Sequence, residues 1–456
     1  MAQRDLVVFA HVVDGFVSAG RVQLTETHGE VEASAFAYGI RYLERTGAFE
    51  VDPVSLSLAD RAAVRGVRLF PAHGLKQFGG IRDAAPDAWG RRVIEARHKV
   101  PANSLPESTY LLEAGSERVD ALDVRETLTT AARVGVADVQ SLPYLFETVE
   151  RLERGEPVPE RLTDLFGSGP GAGGARPKAS VRDASGLLWL AKFASHADTF
   201  DNARAECTTL QLAATCGMTV PDVEVVDLGS RSCLLIRRFD RFWAAPDSLL
   251  PADAVPHATL PGDDRVAHRM PFASSLTLVG CDEYESRLKG YSDIALAVRR
   301  WTHPTVIRPD NRELFARMVF NIMVSNDNDH LRNHGFVRDP RLNGWRLSPL
   351  YDVVPRPGVA AERFLHLQVG PQGKLATLDN ALAGSAAFTL ERPDAIAVMA
   401  AVSRAVASWA SFFEERGISG RLIDQLRPAF RNLADVASPD LRKLLQAQAK
   451  KNVAGP

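Results

Sequence analysis

Two polar segments late in the chain have the residue types and spacing for phosphoryl-transfer chemistry. The first, residues 320–336, reads FNIMVSNDNDHLRNHGF, and the second, residues 345–355, reads WRLSPLYDVVP. In kinase catalytic loops a catalytic aspartate stands five positions before a metal-binding asparagine, and a second metal-binding aspartate follows later. Counting back five positions from Asn333 gives Asn328, and Asp352 comes nineteen positions after Asn333. This spacing predicts a catalytic loop followed by a metal-binding aspartate.

Asn328 stands where that pattern requires a base. An amide oxygen accepts hydrogen bonds but is essentially non-basic, so Asn328 could orient a substrate hydroxyl without removing its proton. General-base help of this kind contributes about 10²- to 10⁴-fold to a rate. Asp327 and Asp329 flank the position, but neighbours on an extended loop point in different directions. The alternative interpretation is a polar loop that only caps a helix and makes turns, which explains the composition but not the arrangement.

A glycine-rich segment precedes this loop, as in protein kinases. It reads GSGPGAGGARPK over residues 167–178, and its glycines would let backbone N–H groups line a phosphate. It is not a Walker A loop, because Ala175 and Arg176 follow Gly174 where that motif requires lysine. A flexible surface loop is the alternative interpretation.

A lysine and a glutamate with kinase-like placement follow the glycine-rich segment. Lys192 is centred in the apolar stretch WLAKF, and Glu206 lies fourteen positions later in a predicted helix. In protein kinases a strand lysine holds the nucleotide phosphates and a helix glutamate orients that lysine. A solvent-facing lysine and an unrelated carboxylate are the alternative for any single pair of this kind.

Hydrophobic periodicity predicts the elements that position these residues. Short apolar runs from Asp5 to about Glu50 predict antiparallel strands, and residues 87–151 have mainly helical periodicity. The stretch SVRDASGLLWLAKF predicts a hairpin that turns at Ser185 and Gly186. The remaining predictions are a helix over 203–216 ended by Gly217, strands VEVVDL and CLLIRRF, an irregular excursion over 243–269, and helices from LFARMVFNIMV to about residue 448.

Composition places the chain among globular proteins. It has 456 residues, of which 45% are apolar and 24% charged, enough for two to three domains. The formal net charge of −2 gives no overall basic field, so tight nucleic-acid binding by this chain alone is not indicated. The four cysteines form no CxxC pair, so zinc and redox chemistry are not expected. With no apolar run of about 18 residues, we expect a soluble, unprocessed cytoplasmic protein.

Taken together, the motifs resemble those of the HipA toxins of bacterial toxin–antitoxin systems, over residues 85–360. They are PDAWGRR, GGARPKA, LAKF, AECTTLQLAATCGMTVPDVEV, IRRFDR, FNIMVSNDNDHLRNHGF and WRLSPLYDVVP. The resemblance implies an α+β, two-lobed protein-kinase-like fold, with a small β-rich N-terminal subdomain and a mainly helical C-terminal lobe. The implied regions are a β-rich and helical subdomain at 1–145, a nucleotide-binding region at 146–240, a loop or insertion at 241–270 and a helical lobe at 271–456.

The resemblance also implies a protein serine/threonine kinase that uses ATP and Mg²⁺. Asn328 takes the position of the catalytic base, Asn333 and Asp352 are the implied metal ligands, and Glu206 is a supporting residue. The implied ATP-binding residues are Gly173, Gly174, Ala175, Arg176, Pro177, Lys178, Lys192, Arg237, Arg238, Phe239, His330, Leu331, Arg332, Asn333, Tyr351 and Asp352. In some members, phosphorylation of a serine before the glycine loop silences the kinase. Gly171 takes that position here, and Ser168 is the nearest serine.

The partners implied by the resemblance are a HipB-like helix-turn-helix antitoxin dimer and, mainly through it, operator DNA. The near-neutral charge fits a toxin that leaves most DNA contact to its partner. The implied protein substrate is an aminoacyl-tRNA synthetase, whose modification would inhibit translation. Two alternatives stay open: a non-catalytic pseudokinase that serves as a nucleotide-binding regulatory subunit, and a small-molecule kinase. Asn328 is interpreted as natural variation or as deliberate inactivation, and the intact remainder of the site favours the second.

Overall fold

The structure, a computed structural model, describes residues 1–12, 15–159, 174–244, 255–256 and 266–453. Two compact units are present. The N-terminal unit consists of Met1–Ala197, Val226–Cys281 and Phe336–Trp345, and the C-terminal unit consists of Asp198–Val225, Asp282–Gly335 and Arg346–Pro456.

A four-stranded antiparallel sheet opens the N-terminal unit, in the spatial order β3-β2-β1-β4. Its strands are β1 (Ala2–Val12), β2 (Gly15–Thr27), β3 (Glu30–Tyr38) and β4 (Leu122–Arg125). His28 and Gly29 form the turn between β2 and β3, with φ angles of 51° and 88°. Positive φ at both positions suits a two-residue hairpin turn. Val8 and Val22 lie fully buried in the core on this sheet, and the antiparallel strands predicted here are confirmed.

A five-stranded sheet in the order β5-β6-β7-β9-β8 carries two buried lysines described below. Its strands are β5 (Ala137–Asp138), β6 (Lys178–Arg182), β7 (Leu188–Phe193), β8 (Val223–Leu228) and β9 (Arg231–Arg237). The predicted hairpin between β6 and β7 is confirmed. Gly186 has a φ of 82°, and Oδ1 of Asp183 accepts hydrogen bonds from the backbone N–H groups of Ser185 and Leu187, both at 2.9 Å. The side chain of Asp183 therefore fixes this turn.

Six further strands form two three-stranded sheets, ordered β11-β10-β12 and β13-β14-β15. They are β10 (Arg241–Ala244), β11 (Val255–Pro256), β12 (Val266–Arg269), β13 (Phe272–Ser274), β14 (Gly335–Asp339) and β15 (Gly344–Leu347). The irregular excursion predicted over 243–269 is therefore wrong where the segment is described, because β10 pairs with both β11 and β12. Pairing between strands far apart in sequence leaves no local periodic pattern. The rest of the segment, 245–254 and 257–265, lies outside the described residues.

Helices make up most of the C-terminal unit and connect the sheets of the N-terminal unit. The α-helices are α1 (Ile40–Leu43), α2 (Gly79–Asp83), α3 (Ala88–His98), α4 (Glu107–Glu113), α5 (Leu142–Arg154), α6 (Asn202–Thr215), α7 (Ser275–Val279), α8 (Tyr291–Trp301), α9 (Ile307–Val324), α10 (Leu378–Ala383), α11 (Arg392–Ala407), α12 (Trp409–Glu414), α13 (Gly420–Leu426), α14 (Leu433–Val436) and α15 (Pro439–Val453). The 3₁₀ turns are Ala72–Gly74, Val139–Ser141, Glu285–Leu288, Pro304–Val306, Leu331–Asn333 and Ser385–Phe388. Across the described ranges, no helix combines the length and apolar character needed to cross a membrane.

Helix α9 is the central helix of the C-terminal unit and leads directly into the predicted catalytic loop. It packs against α8 and α11, and Phe315, Met318 and Phe320 on different sides of the helix are all fully buried. An apolar residue on nearly every side is expected of a helix enclosed by others. The helix predicted from LFARMVFNIMV is confirmed. It ends at Ser325, whose φ of 53° turns the chain out of the helix.

Candidate active-site residues

The segment after α9 is anchored at its start by side-chain hydrogen bonds. Ser325 Oγ donates to the carbonyl oxygen of Ala429 at 2.7 Å and also accepts a bond from the Arg363 guanidinium. Asn326 Nδ2 donates to Oδ1 of Asn321, one helical turn back, at 3.1 Å. These contacts fix the direction in which the chain leaves the helix. The loop that follows is thus held in place before its first exposed residue.

Asn333 closes the predicted catalytic loop with its own side chain. It is 4% exposed, and its Nδ2 donates to the backbone carbonyl oxygen of Asn328 at 3.1 Å. A carbonyl can only accept, so the nitrogen of the amide must face Asn328 and the acceptor Oδ1 faces the other way. The five-residue spacing thus has a structural basis in a side-chain clamp. The Asn333 oxygen consequently faces away from Asn328.

The three residues before His330 have very different surroundings. Asn328 and Asp327 are exposed, and Asp327 Oδ1 lies 3.3 Å from Nε of Arg356. Asp329 is 2% exposed. The buried Asp329 therefore differs from its two exposed neighbours.

Asp329 is the acceptor at the centre of a buried polar network. Its Oδ2 accepts hydrogen bonds from Tyr291 Oη at 2.5 Å and Asn321 Nδ2 at 2.8 Å, and lies 2.8 Å from His334 Nε2. Burial alone would raise the pKa of the Asp329 carboxyl, but the charge and hydrogen bond of His334 and the hydroxyl of Tyr291 hold the pKa below its ordinary value. An ionised, saturated and buried carboxylate cannot reach a substrate hydroxyl. Asp329 therefore does not supply the base that Asn328 lacks.

Asp329→Asn is expected to lower the free energy of unfolding by about 2–4 kcal/mol, because it removes a buried charged acceptor shared by several donors. The folded pKa of Asp329 lies below the unfolded value of about 3.9, so ionisation stabilises the fold above that pH, and this contribution is lost as pH falls through the folded pKa. Urea unfolding at neutral and acidic pH measures both effects, and the gap between the two proteins should narrow in acid. Asp327→Asn on the same loop is the matched control, and equal losses in both variants would contradict the assigned network.

Tyr351 ties the predicted metal-binding aspartate to the turn that carries Asn333. Its hydroxyl donates to the backbone carbonyl oxygen of Arg332 at 2.8 Å. The next residue, Asp352, is partly buried and has a φ of 60°, a left-handed conformation that costs free energy for most residues but less for aspartate. Burial lowers the pKa of His330, and Asp352 acts against that shift through its charge. The C-terminal unit therefore brings Asn328, His330, Asn333 and Asp352 into one neighbourhood.

Two other predicted residues of this segment have structural surroundings of their own. Leu331 is fully buried, so its side chain belongs to the core. The guanidinium of Arg332 pairs with Oε1 of Glu283 at 2.5 Å. Leu331 could therefore contact a nucleotide only through its backbone.

Lys178 and Lys192 occupy directly opposed positions on the antiparallel strands β6 and β7. Opposed residues of such a pair project from the same face of the sheet, so the two side chains leave the strands side by side. Both lysines are buried, at 2% and 7% exposure. Lys178 Nζ lies 2.7 Å from Oδ2 of Asp87, which is also buried. The Asp87 carboxylate therefore neutralises one of the two lysines.

Lys178 also reaches the described end of the glycine-rich segment. Its Nζ donates to the carbonyl oxygen of Gly174 at 3.4 Å, and Gly174 has a φ of 98°. Asp87 in turn caps α3, since its Oδ1 accepts a bond from the N–H of Gly90 at 2.8 Å. One chain of polar contacts thus runs from the helix through Lys178 to the loop. Ala175 is exposed, Pro177 is buried, and Gly173, Gly171 and Ser168 lie outside the described residues.

Three predicted ATP-binding residues lie at the end of strand β9: Arg237 is its last residue, and Arg238 and Phe239 follow it. The Arg237 guanidinium stacks 4.7 Å from the centre of the Trp189 ring. Arg238 forms a two-pronged bond to the Asp240 carboxylate, at 2.9 Å from Nε and 2.6 Å from Nη2, and is buried. The Arg238 side chain is therefore engaged in an ion pair inside the fold. Phe239 packs against the hydrophobic cluster around Phe242. Any adenine contact here would use the backbone.

Glu206 lies on α6 in the C-terminal unit and is 2% exposed.

Sequence reasoning missed three residues with clear roles in these clusters. Asp87 has no role assigned from the sequence beyond its place in the motif PDAWGRR, although an aspartate directly before a helix indicates a cap. Tyr291 gave no local pattern, because its contact with Asp329 joins residues 38 positions apart, whereas His334 lies only five positions after Asp329 in the motif FNIMVSNDNDHLRNHGF. Knowledge of the fold is required to find the contact of Tyr291.

Comparison with known proteins places the chain in a family. The profile of a family described as HipA-like C-terminal domain matches residues 171–410, more than half of the chain. No curated protein sequence matches. A solved structure from Shewanella oneidensis MR-1, of the toxin–antitoxin proteins HipA and HipB with operator DNA, matches with a TM-score of 0.60 and 14% identity over 98% of this chain and 97% of that chain. The Helicobacter pylori proinflammatory kinase CtkA matches with a TM-score of 0.41 and 12% identity, over 62% of this chain and 94% of that chain. The predicted α+β fold of the HipA type is confirmed, and the chain belongs to the HipA-like C-terminal domain family.

Proposed function

We propose that the chain binds ATP with Mg²⁺ and is a toxin protein serine/threonine kinase of the HipA type, in which Asn328 slows phosphoryl transfer. The bond from Asn333 to the Asn328 carbonyl carries this proposal, because it spans the five positions of the kinase pattern and leaves the Asn333 oxygen facing away from Asn328, where it would serve as a metal ligand. Family membership and the HipA-like fold support it.

The oxygen donors of the C-terminal unit suit Mg²⁺. Asn333 would offer its amide oxygen and Asp352 a carboxylate, and Mg²⁺ prefers a few such hard ligands together with substrate phosphates. When bound, the ion would neutralise charge on the β- and γ-phosphates. Tyr351 would keep Asp352 in position through its bond to the Arg332 carbonyl.

Two lysines of the N-terminal unit would have different roles in phosphate binding. Lys192 would brace the phosphates, since it is the strand lysine of the kinase pattern and projects from the same face of the sheet as Lys178. Lys178 would act as a positioning residue that holds the glycine-rich segment through the Gly174 carbonyl.

The partners and substrate form the finer part of the proposal. The Shewanella oneidensis structure contains HipA, HipB and operator DNA, which supports a HipB-like antitoxin dimer and, through it, operator DNA as partners of this cytoplasmic chain. An aminoacyl-tRNA synthetase is the proposed protein substrate, with inhibition of translation as the outcome. A net charge of −2 agrees with DNA contact made mainly by the antitoxin.

A pseudokinase is the second candidate function. It is favoured by the exposed Asn328 combined with the buried Asp329, since neither can accept the proton of a substrate hydroxyl. Such a chain would bind nucleotide and act as a regulatory subunit. A small-molecule kinase would share the same phosphate chemistry but would label a metabolite.

Magnesium-dependent ATP binding is the expected result for the chain as it stands, because the proposed phosphate and metal ligands do not include the side chain of Asn328. Titration calorimetry with ATP, with and without Mg²⁺, measures it. Lys192→Met should weaken binding about tenfold or more, since a charge-assisted contact contributes roughly 1.5–3 kcal/mol. Lys289→Met, on a different segment of the chain, is the matched control. Absence of any ATP binding at millimolar concentration, with the chain folded, would overturn both candidate functions.

A further inference from the structure

A small cavity in the N-terminal unit is lined by basic side chains. Its volume is about 70 Å³. Four of its lining residues are basic or can become so: His11, His268, Arg269 and Arg338. The others are apolar or neutral, and within the described part of the chain no aspartate or glutamate lines the cavity. Such a wall offers hydrogen-bond donors and positive charge.

The charges behind the wall are not balanced among themselves. Arg269 pairs with Oε1 of Glu117 at 3.2 Å, and Arg241 reaches the other oxygen at 3.7 Å. Arg241 and Arg238 both pair with Asp240, at 2.5 and 2.6 Å. Three guanidinium groups therefore share two carboxylates in this cluster, and the nearby Asp123, whose charge also acts on Arg269, is itself shared by Arg118 and Arg125, so positive charge is in excess. All five side chains of the cluster are largely buried, where an uncompensated charge is costly.

The ionisation of the same groups agrees with a positive local field. Burial lowers the pKa of His11 to about 3, and the charges of Arg269, Arg241 and His268 add to that shift. Burial likewise lowers the pKa of Arg241 to about 9, with Arg238 as the next contributor. His11 is neutral at ordinary pH as a result. The arginines keep their charge.

Two polar groups at the cavity offer contacts for an occupant. Nδ1 of His11 is buried and has no hydrogen-bond partner among the described residues, while the ring packs edge-on against Phe16 with 5.0 Å between ring centres. Arg338 Nη2 donates to Oδ1 of Asn343 at 2.6 Å, and Asn343 itself is exposed. The guanidinium of Arg338 is thus held by a neutral partner at the accessible rim.

We propose that this cavity binds a small tetrahedral oxyanion, such as inorganic phosphate, as the counter-ion of the buried arginine cluster. Its volume is about twice the roughly 30 Å³ that one water molecule occupies in the liquid, which is adequate for a phosphate. A cation is excluded by the charge of the wall. None of the proposed ATP-binding residues that the structure describes lines the cavity, although Arg238 belongs to the arginine cluster behind it.

Phosphate binding to the full chain tests the proposal. Equilibrium dialysis with labelled inorganic phosphate, at constant ionic strength set by chloride, should show one phosphate bound per chain. Lys192→Met should leave this binding unchanged, which distinguishes the cavity from the proposed nucleotide residues. Arg338→Gln should weaken it by about tenfold or more, as expected for loss of one charge-assisted contact.

Two further variants keep the test decisive. Asn343→Asp places a carboxylate beside Arg338 at an exposed position, so the chain should fold and phosphate affinity should again fall by about tenfold or more. Arg341→Gln removes an arginine of the same segment that pairs with Asp339 and does not line the cavity, and it should have no effect. No bound phosphate, equal affinity in Arg338→Gln and Arg341→Gln, or loss of binding in Lys192→Met would each overturn the proposal.

Discussion

Asn328→Asp is expected to raise the rate of phosphoryl transfer from ATP by about 10²- to 10⁴-fold, the range that a positioned general base contributes. The new carboxylate would take up an exposed position, so burial would not suppress its ionisation. The backbone carbonyl of residue 328 would still accept the bond from Asn333, which leaves the metal ligand oriented. Asp329 cannot already supply this help, because its carboxylate is buried among Tyr291, Asn321 and His334.

Initial rates at saturating ATP and Mg²⁺, for the unmodified chain and the variant, measure this gain. Asp327→Asn is the matched control, because it changes the charge of the neighbouring exposed position without touching residue 328. It should leave the rate within about twofold, since exposed ion pairs contribute little. A fall in rate in Asp327→Asn as large as the expected gain in Asn328→Asp would instead identify Asp327 as the base.

Asp352→Asn, made in the Asn328→Asp background, is expected to lower the transfer rate by about 10²- to 10³-fold. Removal of one preorganised group that stabilises transition-state charge has an effect of this size in other enzymes. The amide keeps the shape of the side chain but removes the negative charge that would hold Mg²⁺. The left-handed backbone at Asp352 is also well tolerated by asparagine, so the fold should not suffer. The Mg²⁺ concentration for half-maximal rate should rise as well.

Tyr351→Phe is a milder change whose effect on the rate is compared with that of Asp352→Asn. It removes only the hydroxyl that bonds the Arg332 carbonyl and leaves every proposed metal ligand in place. A loss of about tenfold at most is expected, the worth of one hydrogen bond. If Asp352→Asn retained the rate and the Mg²⁺ dependence of its parent, Asp352 would not be a metal ligand.

Local patterns in the sequence were sufficient for the elements that carry the candidate residues. The hairpin at Gly186, the helix ending near Gly217 and the buried helix before Ser325 each depend on neighbours along the chain, such as a turn residue or a helical apolar period. The clamp between Asn328 and Asn333 is also local and spans the five positions of the kinase pattern, although that pattern does not itself predict the hydrogen bond. Residues within about five positions of each other constrain one another through the backbone.

Contacts between distant residues could not be predicted in the same way. Lys178 and Asp87 are separated by 91 positions, and Tyr291 and Asp329 by 38. The first pair places a carboxylate beside the Lys178 ammonium group, and the second surrounds the Asp329 carboxylate inside the fold. The short strands between Arg241 and Arg269 likewise pair with each other and not with sequence neighbours. Burial is a property of the assembled unit, so Asp327 and Asp329 look alike in the sequence and differ in the fold.

The destination of the phosphate tests the central claim most directly. The Asn328→Asp chain would be incubated with γ-labelled ATP, Mg²⁺ and a cell extract, with the same variant carrying Asp352→Asn in parallel. Proteins would be resolved on a gel and metabolites by chromatography. The account predicts labelled protein with the first chain and its loss with the second. Label in a metabolite alone, or no label although both chains bind ATP, would contradict a protein kinase.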